Sequence, residues 1–248
     1  MTKLRTNNLL RAITLLAFAL GSPNLNPRGS AEATAASSDD VDIPALLDVI
    51  GEGTAVERLR RVTNGRAVWP TAAQAREQFE ILRASSEFAP ARDLPHAESG
   101  KEVDRIRRVL APLFELHGGS TIIISVLYTP RPIQGIARGS VYLISSGLLR
   151  VLDDGALLAL SGHELGHQYF RRDFARAEDA GDCRALRLIE LKCDAIAVLS
   201  LLILDGKPDA LVRGLEWAQG PAYAIGSADT RTHPALDARK RLIARLAI

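Results

Sequence analysis

Apolar positions fall at helical spacing between Lys101 and His117, where Val103, Ile106, Val109, Leu110, Leu113, Phe114 and Leu116 share a face before Gly118-Gly119 ends the run. The period then changes. Thr121 to Tyr128 is β-branched and apolar, which predicts a buried strand. Ser140 to Ser145 predicts a second strand, with Val141, Leu143 and Ser145 alternating against Tyr142 and Ile144. Pro130, Pro132, Gly135 and Gly139 mark the stretch between them as a loop. After a short turn over Ser146 to Leu152, Asp153-Asp154 are N-cap residues for a helix running to about Phe170, whose apolar residues almost surround it. Ala185 to Leu204 is a second buried helix, ended by Gly206-Lys207-Pro208. A helix from Asp209 to Gln219 follows, and Thr232-His233-Pro234 introduces a last helix through Ile248.

Upstream, Ile43 to Ile50, Thr54 to Val62 and Thr71 to Ser85 read as short helices broken by Gly and Pro, with Thr71 and Gln74 forming a capping box. The pattern predicts an α+β, mainly helical domain over residues 101–248 with a small sheet. An N-terminal helical extension, 36–100, precedes it and is expected to be a packing layer rather than a propeptide or partner surface.

Composition adds compartment and excludes some partners. A hydrophobic share of 47% with 24% charged residues describes a globular chain, and a net charge of +2 without any Lys/Arg run gives no reason to expect nucleic acid. Lys3, Arg5 and Arg11 precede an apolar run from Ala12 to Leu20, which is too short to span a bilayer and fits a secretory signal. Ala31-Glu32-Ala33 and Ala33-Thr34-Ala35 are candidate cleavage points, so residues 1–35 are expected to be signal peptide and linker. Their removal takes away Lys3, Arg5, Arg11, Arg28 and Glu32, shifting the net charge by minus three, from +2 to −1. No cysteine follows the apolar run, so the expectation is an exported protein, periplasmic or secreted, without a lipid anchor and with no integral membrane span in the mature chain. Cys183 and Cys193, if on one helix, are separated by about 15 Å of rise and should be free thiols.

The chemistry gathers on His163-Glu164-Leu165-Gly166-His167. Residues four apart lie on one helix face, so His163 and His167 can address one metal ion while Glu164 flanks it. A catalytic zinc ion takes three protein ligands and keeps a fourth position open. Glu190 is the strongest candidate for the third ligand. Asp194, one turn on from Glu190 in the same buried helix, is expected to orient His163 through its second ring nitrogen. Two carboxylates on so apolar a helix need partners of this kind.

Gly139-Ser140-Val141-Tyr142-Leu143-Ile144-Ser145-Ser146-Gly147-Leu148-Leu149, followed by Ala159-Leu160-Ser161-Gly162 and the His163–His167 motif, resembles the zinc peptidase family that contains the CAAX prenyl protease and the heat-shock protease HtpX. Thr232-His233-Pro234 and Arg239 are similar to that family's C-terminal His-Pro segment and its downstream Arg. The resemblance implies a zincin-like (gluzincin) metallopeptidase fold with a small β-sheet beside the active-site helix and one Zn2+ ion. It implies a zinc-dependent endopeptidase acting on unfolded or extended polypeptide substrates, in envelope protein quality control or processing. Glu164 would be the general base, and His233 with Arg239 would stabilise the oxyanion. Ser140, Val141, Tyr142 and Leu143 would lie on an edge strand that pairs with substrate. Two departures bear on substrate preference: the named relatives carry several membrane spans, and only 22 residues separate His167 from Glu190.

The competing expectation is a zinc-binding chaperone or interaction module with little turnover, against which Glu164 argues, because a structural site needs no base. A third is a self-inhibited protease in which residues 36–100 cover the cleft and His96 supplies a fourth ligand. His117, at a helix end, is expected to serve the helix dipole. The oligomeric state is left open.

Overall fold

The computed structural model describes residues 15–16, 42–65, 67, 69–84, 96–119, 121–130, 133–137, 139–219 and 232–248. Except for Leu15–Leu16, the predicted leader and both cleavage points lie outside them. In chain order the elements are β1 Leu15–Leu16, α1 Ile43–Ile50, α2 Ala55–Thr63, α3 Ala72–Ala84, β2 His96–Ala97, α4 Lys101–His117, β3 Ile123–Leu127, β4 Gln134–Ala137, β5 Val141–Ser145, α5 Ser146–Val151, α6 Asp154–Ala180, α7 Cys183–Ile203, α8 Asp209–Gln219 and α9 Leu236–Leu246. The architecture is mainly helical with a small mixed sheet. No described helix is long and apolar enough to cross a membrane.

Capping places the two central helices. Asp153 accepts from Ala156 N at 2.6 Å to start α6, and Asp182 accepts from Ala185 N at 2.9 Å to start α7. Between them, Gly181 at φ 64° ends α6 in the left-handed region that a side chain would resist. The observed α6 runs ten residues past the predicted end at Phe170. Its extension is charged and Ala-rich, so it lacks apolar periodicity while retaining helix propensity.

The sheet has the order β1-β4-β5-β3-β2. Strand β4 falls inside the predicted loop; four residues including a glycine are too short to show a period. Strand β5 runs parallel to β3 and antiparallel to β4, so both of its edges are paired. Alternation along β5 divides two cores. Tyr142 and Ile144 face the main core with α4, α6 and α7, while Val141 and Leu143 meet Phe79 and Leu82 of α3 on the other face. Leu46, Ile50, Leu59 and Val62 of α1 and α2 belong to the main core. Residues 42–84 thus pack as structural layers. His96 pairs in β2 with Leu127 and sets its ring edge-on to Phe79, on the α3 side of the sheet, which removes the basis for its role as a metal ligand.

His117 also departs from expectation. It is buried, Nδ1 lies 2.7 Å from Tyr169 Oη, and Nε2 lies 2.8 Å from Ser200 Oγ. Ser200 donates its own proton to Ile196 O at 2.6 Å, so it must accept from Nε2–H, and Tyr169 then donates to Nδ1. This neutral tautomer joins α4, α6 and α7. Burial pulls the His117 pKa down to about 4, so the residue is no dipole partner at neutral pH.

A proton binds His117 more readily in the unfolded chain, at about 6.5, than in the folded one, at about 4. Stability from this residue is therefore complete above about pH 6.5 and falls as the pH drops towards 4, by up to about 3 kcal/mol. Urea unfolding of wild type and His117→Asn across that window checks this: the difference between their stabilities should shrink as the pH falls.

Candidate metal centre

The centre exists because α6 and α7 cross almost backbone to backbone. A methyl group added at Gly166 would lie 2.8 Å from the Cα of Cys193, and one at Gly162 would lie 3.2 Å from the Cα of Ala197. Both contacts repeat every four residues, so Gly162 and Gly166 on one helix meet Ala197 and Cys193 on the other over a full turn. Cys193 is fully buried and free, and burial pushes its thiol pKa well up; it packs as a small apolar group. Cys193 was expected as a free thiol; Gly162, Gly166 and Ala197 were not singled out from the sequence, although two glycines four apart around His163 carried the signal.

This approach brings His163, His167 and Glu190 into one buried group whose ligand atoms all lie within 4.8 Å of one another and could hold a metal ion. His163 Nε2 is 3.3 Å from Glu190 Oε2, and His167 Nε2 is 3.4 Å from Glu190 Oε1. Neither pair is a hydrogen bond. His163 Nε2, both ring nitrogens of His167, Glu190 Oε2 and Glu164 Oε2 are buried without any hydrogen-bond partner. Buried polar atoms left in this state are costly, and His163 Nε2, His167 Nε2 and the Glu190 carboxylate gather at one point. An ion with bonds of about 2.0–2.1 Å in tetrahedral geometry keeps neighbouring ligand atoms about 3.3–3.4 Å apart. The residues present fit such an ion.

Behind the ligands stands a buried ion pair. Asp194 Oδ1 accepts from His163 Nδ1 at 2.9 Å, which leaves Nε2 facing the group. Arg239 donates Nε to Asp194 Oδ2 at 2.7 Å and Nη2 to Oδ1 at 2.6 Å. Both residues are fully buried. The expectation that Arg239 stabilises an oxyanion is corrected here: its guanidinium is committed to Asp194 behind His163, and it acts as a positioning residue. Its Nη2 also lies 3.2 Å from His163 Nδ1, a donor-to-donor approach that Asp194 screens.

His233 is less enclosed, with 23% of its side chain exposed, and its Nε2 lies 3.8 Å from Glu190 Oε1. Thr232 Oγ1 is 3.0 Å from its Nδ1. Helix α9 starts at Ala235 without a side-chain cap, so His233 is free to face the ligand group. The strand residues are placed differently from expectation. Ser140, Val141, Tyr142 and Leu143 are fully buried, and β5 is central, so it has no free edge for a peptide. Tyr142 Oη donates instead to Ser161 Oγ at 2.7 Å, since Ser161 spends its proton on Leu157 O, and this ties the sheet to α6.

Electrostatics separate the ligands. Burial opposes a charge on His163, but the hydrogen bond to Asp194 and the neighbouring Glu190 carboxylate outweigh it and raise its pKa to about 9. Burial lowers His167 to about 4, leaving it neutral. Burial would push Glu190 up, yet the His167 and His163 imidazoles hold it well below the usual carboxylate range. Glu164 has no such partner, and burial raises it to about 8.

Gly166→Ala should destabilise the fold by about 1–3 kcal/mol and weaken metal binding, because α7 must move away; Gly162→Ala should do so less. Thermal unfolding and competition with a chromogenic chelator measure both. In Arg239→Met, Asp194 loses its countercharge, and metal affinity should fall about 10–100-fold even in the folded fraction. The same chelator titration checks this.

No family model, curated protein or solved structure matches this chain, so the family resemblance stands on the motifs at 139–149, 159–167 and 232–239 alone.

Proposed function

We propose that the protein is a zinc-dependent endopeptidase that hydrolyses peptide bonds in extended or unfolded segments. The observation that carries this is the pairing of a zinc-sized ligand group with an unliganded carboxylate beside it: His163, His167 and Glu190 converge, and Glu164 Oε2 has no partner. Imidazole and carboxylate donors at this spacing suit zinc better than calcium, which takes six to eight oxygens at longer range. His233 lies outside the mutual group, so the described residues supply three ligands and leave one position for water or substrate.

Zinc bound there would polarise the scissile carbonyl and acidify a water molecule. Burial makes Glu164 hold its proton without the cation, raising its pKa to about 8; ionised beside the bound cation, it would accept that water's proton and hand it to the leaving amine. Asp194 holds the proton on His163 Nδ1, backed by Arg239. His233, facing the ligands from α9's approach, is the group suited to donate to a developing oxyanion. Once the leader that carries Leu15–Leu16 is cleaved, the edge suited to an extended substrate is β4, which packs on α6 and whose outer side those two residues take up at Gly135 and Gln134. Main-chain pairing there fixes the peptide while leaving side-chain selectivity loose. The charged, apolar and small-residue series at the N-terminus supports work outside the cytoplasm, in the periplasm or beyond. The alternative, a zinc-binding chaperone, would share the ligands and have no use for Glu164.

Full-length zinc-loaded protein should cleave an unfolded casein-type substrate, and Glu164→Gln should lose at least about 100-fold in kcat with zinc retained. His233→Ala should lose about 100-fold in kcat with KM little changed. Stoichiometric zinc without cleavage would leave the chaperone reading in place, and cleavage unaltered in Glu164→Gln would overturn the peptidase reading of this site.

A further inference from the structure

Beyond the metal group, α6 carries a second set of polar atoms without partners. Gln168 is buried and its Oε1 has no hydrogen bond. Arg171 is exposed overall, and no acceptor among the described residues takes its guanidinium, although Asp173 lies two residues away and pairs with Arg176 instead. Both side chains lie over Gly139, at the turn that follows β4. A methyl group at Gly139 would meet Arg171 Nη1 at 2.7 Å and Gln168 Oε1 at 2.8 Å, and Gly139 itself has φ 71°. The glycine lets the ends of these two side chains close together over the turn, in the space that a side chain there would fill.

Helix geometry puts this pair beside the metal group. Glu164, Gln168 and Arg171 stand at i, i+4 and i+7 on one stripe of α6, between the imidazoles of His163 and His167 and the face on which Ser161 meets Tyr142 of the sheet. Arg171 follows His167 by one turn. It lies about 10 Å along the helix axis from Glu164. An extended peptide advances about 3.3 Å per residue, so the guanidinium stands about three residues from the bond that Glu164 serves. Strand β4 leads to the same place, because Gly139 follows its last residue, Ala137, by two positions.

We infer that Arg171, with the Gln168 amide, forms a specificity pocket for a carboxylate of the substrate, about three residues from the scissile bond. This rests on the peptidase reading above. A guanidinium presents paired donors that match a carboxylate, and a primary amide can turn its NH2 towards the same oxygen. A Lys or Arg at that substrate position meets like charge and is rejected. The carboxylate has two possible sources, an Asp or Glu side chain or the free C-terminus of a short substrate.

The test uses the zinc-loaded full chain and matched peptides carrying Asp, Ala or Lys at each position two to four residues from the scissile bond, on both sides, with free or amidated C-termini. At one position Asp should exceed Ala in kcat/KM by on the order of tenfold, and Lys should fall below Ala. Arg171→Ala should bring the Asp-to-Ala ratio to about one, and Arg171→Glu should invert the preference to Lys; higher salt should shrink the wild-type ratio. A gain seen only with the free C-terminus assigns the pocket to the terminal carboxylate, and a gain in amidated peptides assigns it to a side chain. An Asp preference that persists in Arg171→Ala, or no charge preference in wild type, overturns the inference. Anisotropy with the same peptides and zinc-loaded Glu164→Gln gives a binding readout independent of turnover. Loss of charge-dependent binding there sinks the pocket, whereas charge-dependent binding by a protein that never cleaves sinks only the peptidase reading.

Discussion

The approach of α6 to α7 at Gly166 and Cys193 is the constraint on which the rest depends. Helix axes held this close allow His163 and His167 to meet Glu190 without long side-chain excursions, and they allow Asp194 to reach the far nitrogen of His163. One larger residue at the crossing would separate the four groups together, since they share two rigid helices. The geometry is therefore stored in small residues with no chemistry of their own. This is why a site so buried can be built from two helices joined by only two residues, Gly181 and Asp182, before the first turn at Cys183.

Charge is balanced within the same volume. Asp194 and Arg239 neutralise each other, so the supporting layer adds no net charge to the core. In the metal-free protein the proton on His163 offsets Glu190, while Glu164 stays largely protonated at neutral pH. Replacing the His163 proton by a divalent cation leaves one positive charge beyond Glu190, which favours ionised Glu164. A carboxylate that is uncharged before metal binding and charged after it is a base that becomes available only in the loaded site.

Much of this was legible in the sequence because it rests on period and spacing. The helices from Lys101 and Asp209 fall where the sequence places them, and His163, His167 and Glu190 converge as the i, i+4 spacing and the carboxylates on the apolar second helix suggested. What failed to show depends on long-range placement. No local feature of Ser140 to Ser145 says whether the strand is central or at an edge; that follows from β4, a strand of four residues hidden in a Pro- and Gly-rich stretch. The oxyanion role of Arg239 came from the resemblance alone. Arg239 lies in the first turn of α9 and turns its side chain inward to Asp194, whereas His233 precedes the helix and stays partly exposed.

The N-terminal layer bears on regulation. A segment that masks an active site and then leaves must be bound weakly enough to go. Here Leu59 and Val62 of α2 lie in the core beside α7, and Phe79 and Leu82 of α3 fill the back of the sheet with no exposure or almost none. Burial of one such side chain stabilises by about 1.5–3 kcal/mol, and four of them together are comparable with the whole stability of a domain. Losing this layer would uncover α7 on one side and β5 on the other, the elements that carry Glu190 and hold α6 through Tyr142. Residues 42–84 are thus part of what keeps the ligands in register, and any control exerted through them would act by loosening α7 rather than by covering His163 and His167.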